Sequence, residues 1–236
     1  MFLTLHAPEA ILGDSNDELM NCYQVVRDDV ETLIALLSRH ARDRECYYRV
    51  RQQDPMLMDQ AARAARFIYL NKTCFNGIYR VNLKGQFNVP YGNRKARVYD
   101  EENLRHVSLL LKGVTLLRAS YETTLQQAGP GDFIYLDPPY YPSSKTANFA
   151  KYTSPPFGKD DQIGLASELK RLTRLGCRVM LSNSDTEFIR GLYGEYRQET
   201  VAARRLLNCN GNRRRGFTEV LVMNYEPRCP SLKGLP

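Results

Sequence analysis

Phe133-Ile134-Tyr135-Leu136-Asp137-Pro138-Pro139-Tyr140 is the stretch on which the reading of this chain turns. Four apolar and aromatic residues in a row, approached through Gly129-Pro130-Gly131, read as a buried strand. The two prolines that follow Asp137 have no N–H to give to a ladder, so the strand must end there. By average residue usage, Asp-Pro-Pro-Tyr arises by chance in a chain of this length roughly once in a thousand. The plain alternative is a proline-stiffened turn with a partly buried tyrosine.

Downstream, the pattern predicts a helix around Asp160 to Leu175, a strand over Cys177 to Leu181 and a short helix near Thr186 to Leu192. Strands near Tyr196 to Val201 and Thr218 to Asn224 follow. Upstream, Ala10-Ile11-Leu12 is a short apolar run stopped by Gly13-Asp14-Ser15-Asn16, a strand ending in a turn that caps a helix. Leu19, Cys22, Tyr23, Val26, Val30, Leu33, Ile34 and Leu37 recur at helical spacing as one face. Met58 to Asn71 reads as another helix, with Ala61, Ala64, Ala65 and Ile68 inward. Between Phe75 and Gly92, residues alternate around Asn82-Leu83-Lys84-Gly85, which predicts a β-hairpin with Gly85 at positive φ. A helix near Glu101 to Lys112 leads to a strand at Val114 to Leu117. Strands alternating with helices imply an α/β fold with a largely parallel sheet. The expected division is a core from residues 1–38 and 107–236, with 39–106 inserted as a smaller domain.

The 236 residues suffice for one domain carrying an insertion. A 43% hydrophobic and 25% charged composition is ordinary for a globular protein, and no apolar run approaches membrane-spanning length. Met1 to His6 lacks a secretory leader, so a cytoplasmic location is expected. Six scattered cysteines without a C-x-x-C pair and three distant histidines argue against a metal site. The net charge of +7 allows a polyanionic partner without requiring one.

The tetrapeptide suits one chemical task. An exocyclic amine on an aromatic base is a poor nucleophile because its lone pair is delocalised into the ring. The Asp137 carboxylate and the Pro138 carbonyl can each accept one amine proton, Pro139 stiffens the turn, and Tyr140 offers a ring for the base to stack on. Preorganised acceptors aimed at developing positive charge are a general catalytic device.

The motif resembles that of the amino-methyltransferases, and neighbouring segments narrow the resemblance to the Dam-type DNA adenine-N6 methyltransferases. Phe75-Asn76-Gly77-Ile78-Tyr79-Arg80-Val81-Asn82, followed by Lys84 to Gly92, resembles the family's DNA-recognition hairpin. Thr146-Ala147-Asn148-Phe149 and Leu181-Ser182-Asn183-Ser184-Asp185 match segments flanking its active site, and Ala202 to Arg205 with Thr218 to Leu221 match its C-terminal strands.

The resemblance implies a Rossmann-like class I sheet dependent on S-adenosylmethionine, with an inserted helical and β-hairpin recognition domain. It implies double-stranded DNA as partner, a flipped adenine, no metal and a monomer. Asp14 matches the acid that bonds the cofactor ribose, and Asp137 the residue that holds the amine beside the cofactor. Asn76, Ile78, Arg80 and Pro90 match positions that meet DNA, and Arg94 and Lys95 lie where backbone contacts are expected. Arg80 suits a guanine edge, GATC is a frequent target in the family, and Arg204, Arg205, Arg213, Arg214 and Arg215 are candidates for phosphate contact. Restriction–modification, chromosomal marking and phage self-protection are all compatible roles.

One departure stands out. Members of the family carry a first strand leading into Phe-x-Gly-x-Gly, whereas Phe2-Leu3-Thr4-Leu5 matches the helix after that loop. The expectation is a sheet lacking its first strand, with Met1 an internal position of a longer enzyme. A non-catalytic DNA-binding remnant is the alternative.

Overall fold

A computed structural model describes residues 7, 9–92, 97–142, 157–203 and 217–227, and the side chains of 203 and 217 are left aside. The chain forms two compact units, Met1–Gln127 and Ala128–Pro236.

In the first unit, β1 (Ile11–Asp14) pairs in parallel with β2 (Thr115–Arg118), with Asp14 opposite Arg118. The turn after β1 caps α1 (Asp17–Asp28): the Asn16 Oδ1 accepts the Leu19 N–H at 3.2 Å, worth about 1 kcal/mol at such a position. The apolar face predicted to run without interruption from Leu19 to Leu37 is broken. Asp29, at φ −145° and ψ 51°, ends α1, and α2 (Val30–Ser38) starts afresh. Spacing alone misses the break because the apolar residues keep their rhythm across it.

Helix α3 (Arg44–Gln52) lies in a charged stretch to which the sequence reading assigned no element. Its C-terminal carbonyls, those of Val50 and Arg51, accept from the guanidinium of Arg66 at 3.2 and 3.1 Å. Burial pulls the Arg66 pKa down, and the helix-end carbonyls supply the partial negative charge that lets the cation stay there. Arg66 belongs to α4 (Gln60–Thr73), whose Ala64 and Ala65 are buried against α1 and α2, as the small residues predicted. Short side chains bring the backbones close. Leu33, Leu37, Tyr47 and Tyr69 complete the core of this unit, at about 2 kcal/mol for each buried leucine. Helix α5 (Glu101–Leu110) and the short α6 (Tyr121–Leu125) flank β2 in sequence.

Residues 74–91 form a narrower hairpin than the sequence suggested. Its arms meet at two antiparallel bridges, Cys74 with Tyr91 and Val81 with Phe87, closed by a turn in which Gly85 takes φ +74°. Tyr47 Oη donates to the Val89 carbonyl at 2.8 Å, tying the returning arm to α3.

The second unit is a four-stranded sheet in the order β3 (Phe133–Leu136), β4 (Arg178–Ser184), β6 (Phe217–Met223), β5 (Arg197–Ala203). β3 and β4 are parallel, while β4 with β6 and β6 with β5 are antiparallel. The largely parallel sheet expected from helix–strand alternation is therefore mixed, because β5 and β6 follow α8 (Glu187–Leu192) as consecutive strands with no described helix between them. Helix α7 (Lys159–Leu175) turns Leu165, Leu169 and Leu172 inward, packs on β4, and ends at Gly176 in the left-handed region, φ +89°. β3 was expected to be buried throughout. At the sheet edge it instead alternates, with Phe133 45% and Tyr135 40% exposed and Leu136 buried.

Candidate active site

Because β3 and β4 run parallel with Leu136 opposite Leu181, the next residue of each strand comes level: Asp137 and Ser182. Ser182 Oγ donates to Asp137 Oδ1 at 2.6 Å and accepts from Tyr135 Oη at 3.1 Å. Ser182 is buried and Asp137 exposed, so a fixed group inside the sheet holds a carboxylate at its surface.

The turn after Asp137 is fastened by its backbone. Gln162 Nε2, on the first turn of α7, donates to the Pro139 carbonyl at 2.9 Å, and Gln162 Oε1 accepts from Asn183 Nδ2 at 3.0 Å. Asn183 Oδ1 accepts the Tyr141 N–H at 3.0 Å, and Ser184 Oγ donates to the Tyr141 carbonyl at 2.6 Å. Gln162 and Asn183 are both 0% exposed, which is tolerable only because each amide is bonded at both its oxygen and its nitrogen. Three consecutive residues of β4, Ser182, Asn183 and Ser184, thus hold Asp137, Tyr141 and, through Gln162, Pro139.

Tyr140 is half-buried, and its hydroxyl donates to Glu219 Oε2 on β6 at 3.3 Å. Burial above all pushes its phenol up to about 12, so it remains a donor at any physiological pH. Beyond β4, Asp185 is bonded by Arg190 through Nε at 2.6 Å and Nη2 at 3.0 Å, and its carboxyl is held below the ordinary aspartate range by that guanidinium first and by Thr218 as well.

In the first unit, Asp14 stands exposed at the carboxyl end of β1, with Oδ1 accepting the Asn16 N–H at 2.7 Å. On the hairpin, Arg80 lies along the opposite arm: Nε donates to Asn88 Oδ1 at 2.7 Å and Nη2 to the Asn88 carbonyl at 3.4 Å. Asn76 takes a left-handed backbone, φ +56°, which asparagine tolerates better than most residues. Ile78 is half-buried, and the exposed Pro90 accepts the Phe75 N–H at 2.8 Å. Arg94 and Lys95 lie outside the described residues, as do Thr146 to Phe149, Arg204, Arg205 and Arg213 to Arg215.

Cys22, Cys46, Cys74 and Cys177 are buried and not in disulfides, and burial raises the thiols of Cys22 and Cys177. Among the described residues, no three histidine, cysteine or acidic side chains are grouped to hold a metal ion. No helix among them is long and apolar enough to cross a membrane.

Gln162, Ser182, Asn183 and Glu219 were not singled out as site residues by sequence reasoning. Gln162 did leave a signal: with Leu165, Ala166, Leu169 and Leu172 it falls on the buried stripe of α7, where a polar residue needs a reason.

The sequence model of the D12 class N6 adenine-specific DNA methyltransferases matches residues 1–206. The chain belongs to that family. It is 43% identical over 232 residues to the type II methyltransferase M.MjaIII of Methanocaldococcus jannaschii, covering 92% of this chain and 80% of that protein. To the type II methyltransferase M1.LlaDCHI of Lactococcus lactis subsp. cremoris it is 37% identical over 234 residues, 95% of this chain and 82% of that one. With the DNA adenine methylase of Escherichia coli it shares 32% over 231 residues, 96% and 83% of the two chains. Membership in the D12 class makes the chain an adenine-specific DNA methyltransferase, and its mixed α/β architecture is consistent with that membership.

Proposed function

We propose that the loop from Asp137 to Tyr140 holds the target adenine of double-stranded DNA, with the Asp137 carboxylate and the Pro138 carbonyl accepting the two N6 protons and Tyr140 stacking on the base. The supporting observation is the fastening of this turn: an exposed carboxylate stands at a strand end, while the Pro139 carbonyl is already occupied by Gln162. The neighbouring prolyl oxygen, that of Pro138, is the one assigned to the substrate. Acceptors placed before the base arrives need no reorganisation as positive charge develops on N6. A base extruded from the duplex loses its stacking partners, and the Tyr140 ring replaces one of them.

The methyl donor in this reading is S-adenosylmethionine, which when bound supplies a methyl group already activated by its sulfonium. Asp14 fits the ribose end of that molecule: it is exposed at the carboxyl end of a parallel strand, and one of its oxygens is steadied by the Asn16 N–H. The parallel pairs β1–β2 and β3–β4 support a Rossmann-like reading, with residues 39–106 as the inserted recognition segment. In that segment Asn76, Ile78, Arg80 and Pro90 meet the DNA, with Arg94 and Lys95 on its backbone. Arg80 is assigned to a guanine of a GATC-like site, exchanging its bonds to Asn88 for the base. The names of the relatives from Methanocaldococcus and Lactococcus favour a place beside a restriction enzyme.

Modified bases mapped one by one in DNA from a host expressing the protein test this. N6-methyladenine confined to one short motif is the expected result, and Arg80→Ala relaxes that motif at a guanine. Methylation of cytosine, or of adenines regardless of sequence, contradicts the assignment.

A further inference from the structure

We propose that Ser182 and Tyr135 form a two-hydroxyl relay that positions the Asp137 carboxylate, so that Oδ1 is occupied by the protein and Oδ2 is left to the adenine amine. The inference rests on the assignment of Asp137 as an amine acceptor. It goes further in naming the groups that aim it.

The arrangement follows from strand periodicity. Tyr135 and Asp137 are two residues apart, so their side chains leave β3 on the same face, and the parallel register sets Ser182 of β4 beside them. A serine hydroxyl has a single proton. At 2.6 Å from Asp137 Oδ1 and 3.5 Å from the Leu136 carbonyl, that proton belongs to the carboxylate, at a length typical of charge-assisted bonds. Tyr135 then has to donate, at 3.1 Å, and in doing so occupies a lone pair of Ser182 and restrains its rotor from turning to Leu136. Both hydroxyl protons therefore point towards Asp137. That polarity steadies an accepting carboxylate and is opposite to what a proton leaving through the chain would need.

The two ends of the relay also differ in setting. Ser182 is 3% exposed on the interior strand β4, whereas Tyr135 is 40% exposed. Tyr135→Phe keeps the ring and deletes the hydroxyl that makes the outer bond.

The test is steady-state and single-turnover methylation of a duplex oligonucleotide by Ser182→Ala, Ser182→Thr, Tyr135→Phe and the double variant Ser182→Ala/Tyr135→Phe, with Asp137→Ala as reference. Loss of a hydrogen bond to a charged group is expected to lower kcat of Ser182→Ala by roughly tenfold to a hundredfold, with KM for DNA within about twofold. Ser182→Thr, which keeps the hydroxyl, is expected to recover most of the rate, and Tyr135→Phe to lose about threefold to tenfold. The double variant should be no slower than Ser182→Ala, because Tyr135 acts only through Ser182. Unchanged kcat in Ser182→Ala, or a double variant whose loss is the product of the two single losses, overturns the relay. An active Asp137→Ala would instead refute the amine-acceptor assignment itself, so the two failures are distinguishable.

Discussion

The side-chain amide of Gln162 on α7 donates to the carbonyl of Pro139 at 2.9 Å, and through its own oxygen it is bonded to Asn183 on β4. One buried amide thus links a helix, a strand and the turn that carries the Asp-Pro-Pro-Tyr motif. The Gln162→Glu variant keeps the shape but places an acceptor where a donor is required. Facing the Pro139 carbonyl in a fully buried site, it is expected to cost about 1–3 kcal/mol of stability and to lower kcat as the turn loosens. Urea denaturation alongside methylation kinetics checks this, and wild-type values for both would show that the bond is idle.

Tyr140 is expected to act through its ring. Tyr140→Phe keeps the ring and removes the hydroxyl, with its 3.3 Å bond to Glu219, and should retain activity within about threefold, whereas Tyr140→Ala removes a stacking surface of the kind worth about 1–3 kcal/mol per base. The readout is the DNA concentration dependence of methylation, and equal effects of the two substitutions would remove stacking from the account.

The Tyr140 phenol has its own titration. Its ionisation is raised from 10.0 to about 12, chiefly by burial, so its contribution to stability is whole below 10.0 and lost as pH rises through about 12. Ultraviolet titration should show one tyrosine fewer ionising near 12 in Tyr140→Phe than in the wild type. Loss of a tyrosine titrating at the ordinary value would contradict the burial argument.

Asp185 sets an acid-side dependence. Its carboxyl is held below the ordinary value of 3.8, first by the Arg190 guanidinium, so the stabilisation is present above that value and disappears as pH falls through the lower, folded-state one. Asp185→Asn should therefore narrow the gap in urea midpoint between pH 6 and acid. An unchanged gap would mean that this pair contributes nothing to the acid sensitivity.

Much of this architecture was legible in the residues. The strand before Asp137 and the helix and strands after it stand within a few positions of where periodicity put them, because prolines, glycines and caps punctuate them sharply. The turn at Gly13 to Asn16 was readable for the same reason. What could not be read were features decided by tertiary partners. Asp29 breaks a helix inside an unbroken apolar rhythm, and the last carbonyls of Arg44–Gln52 are bonded by Arg66, distant in sequence. Exposure of β3 depends on its place at a sheet edge, which composition does not encode.

The tetrapeptide was legible as chemistry, but its support was not. Ser182 and Asn183 read as part of a flanking segment, and their partners on β3, α7 and the turn emerge only from the parallel register of β3 and β4. Gln162 on an apolar stripe was the one visible hint.

The most direct test of the central assignment is transfer of a tritiated methyl group to duplex DNA by Asp137→Ala, with DNA affinity measured on the same preparation. Transfer should fall to background while the dissociation constant for DNA stays within about threefold, since Asp137 is assigned to the chemistry and not to holding the duplex. If the variant keeps most of the wild-type rate, Asp137 does not hold the adenine amine.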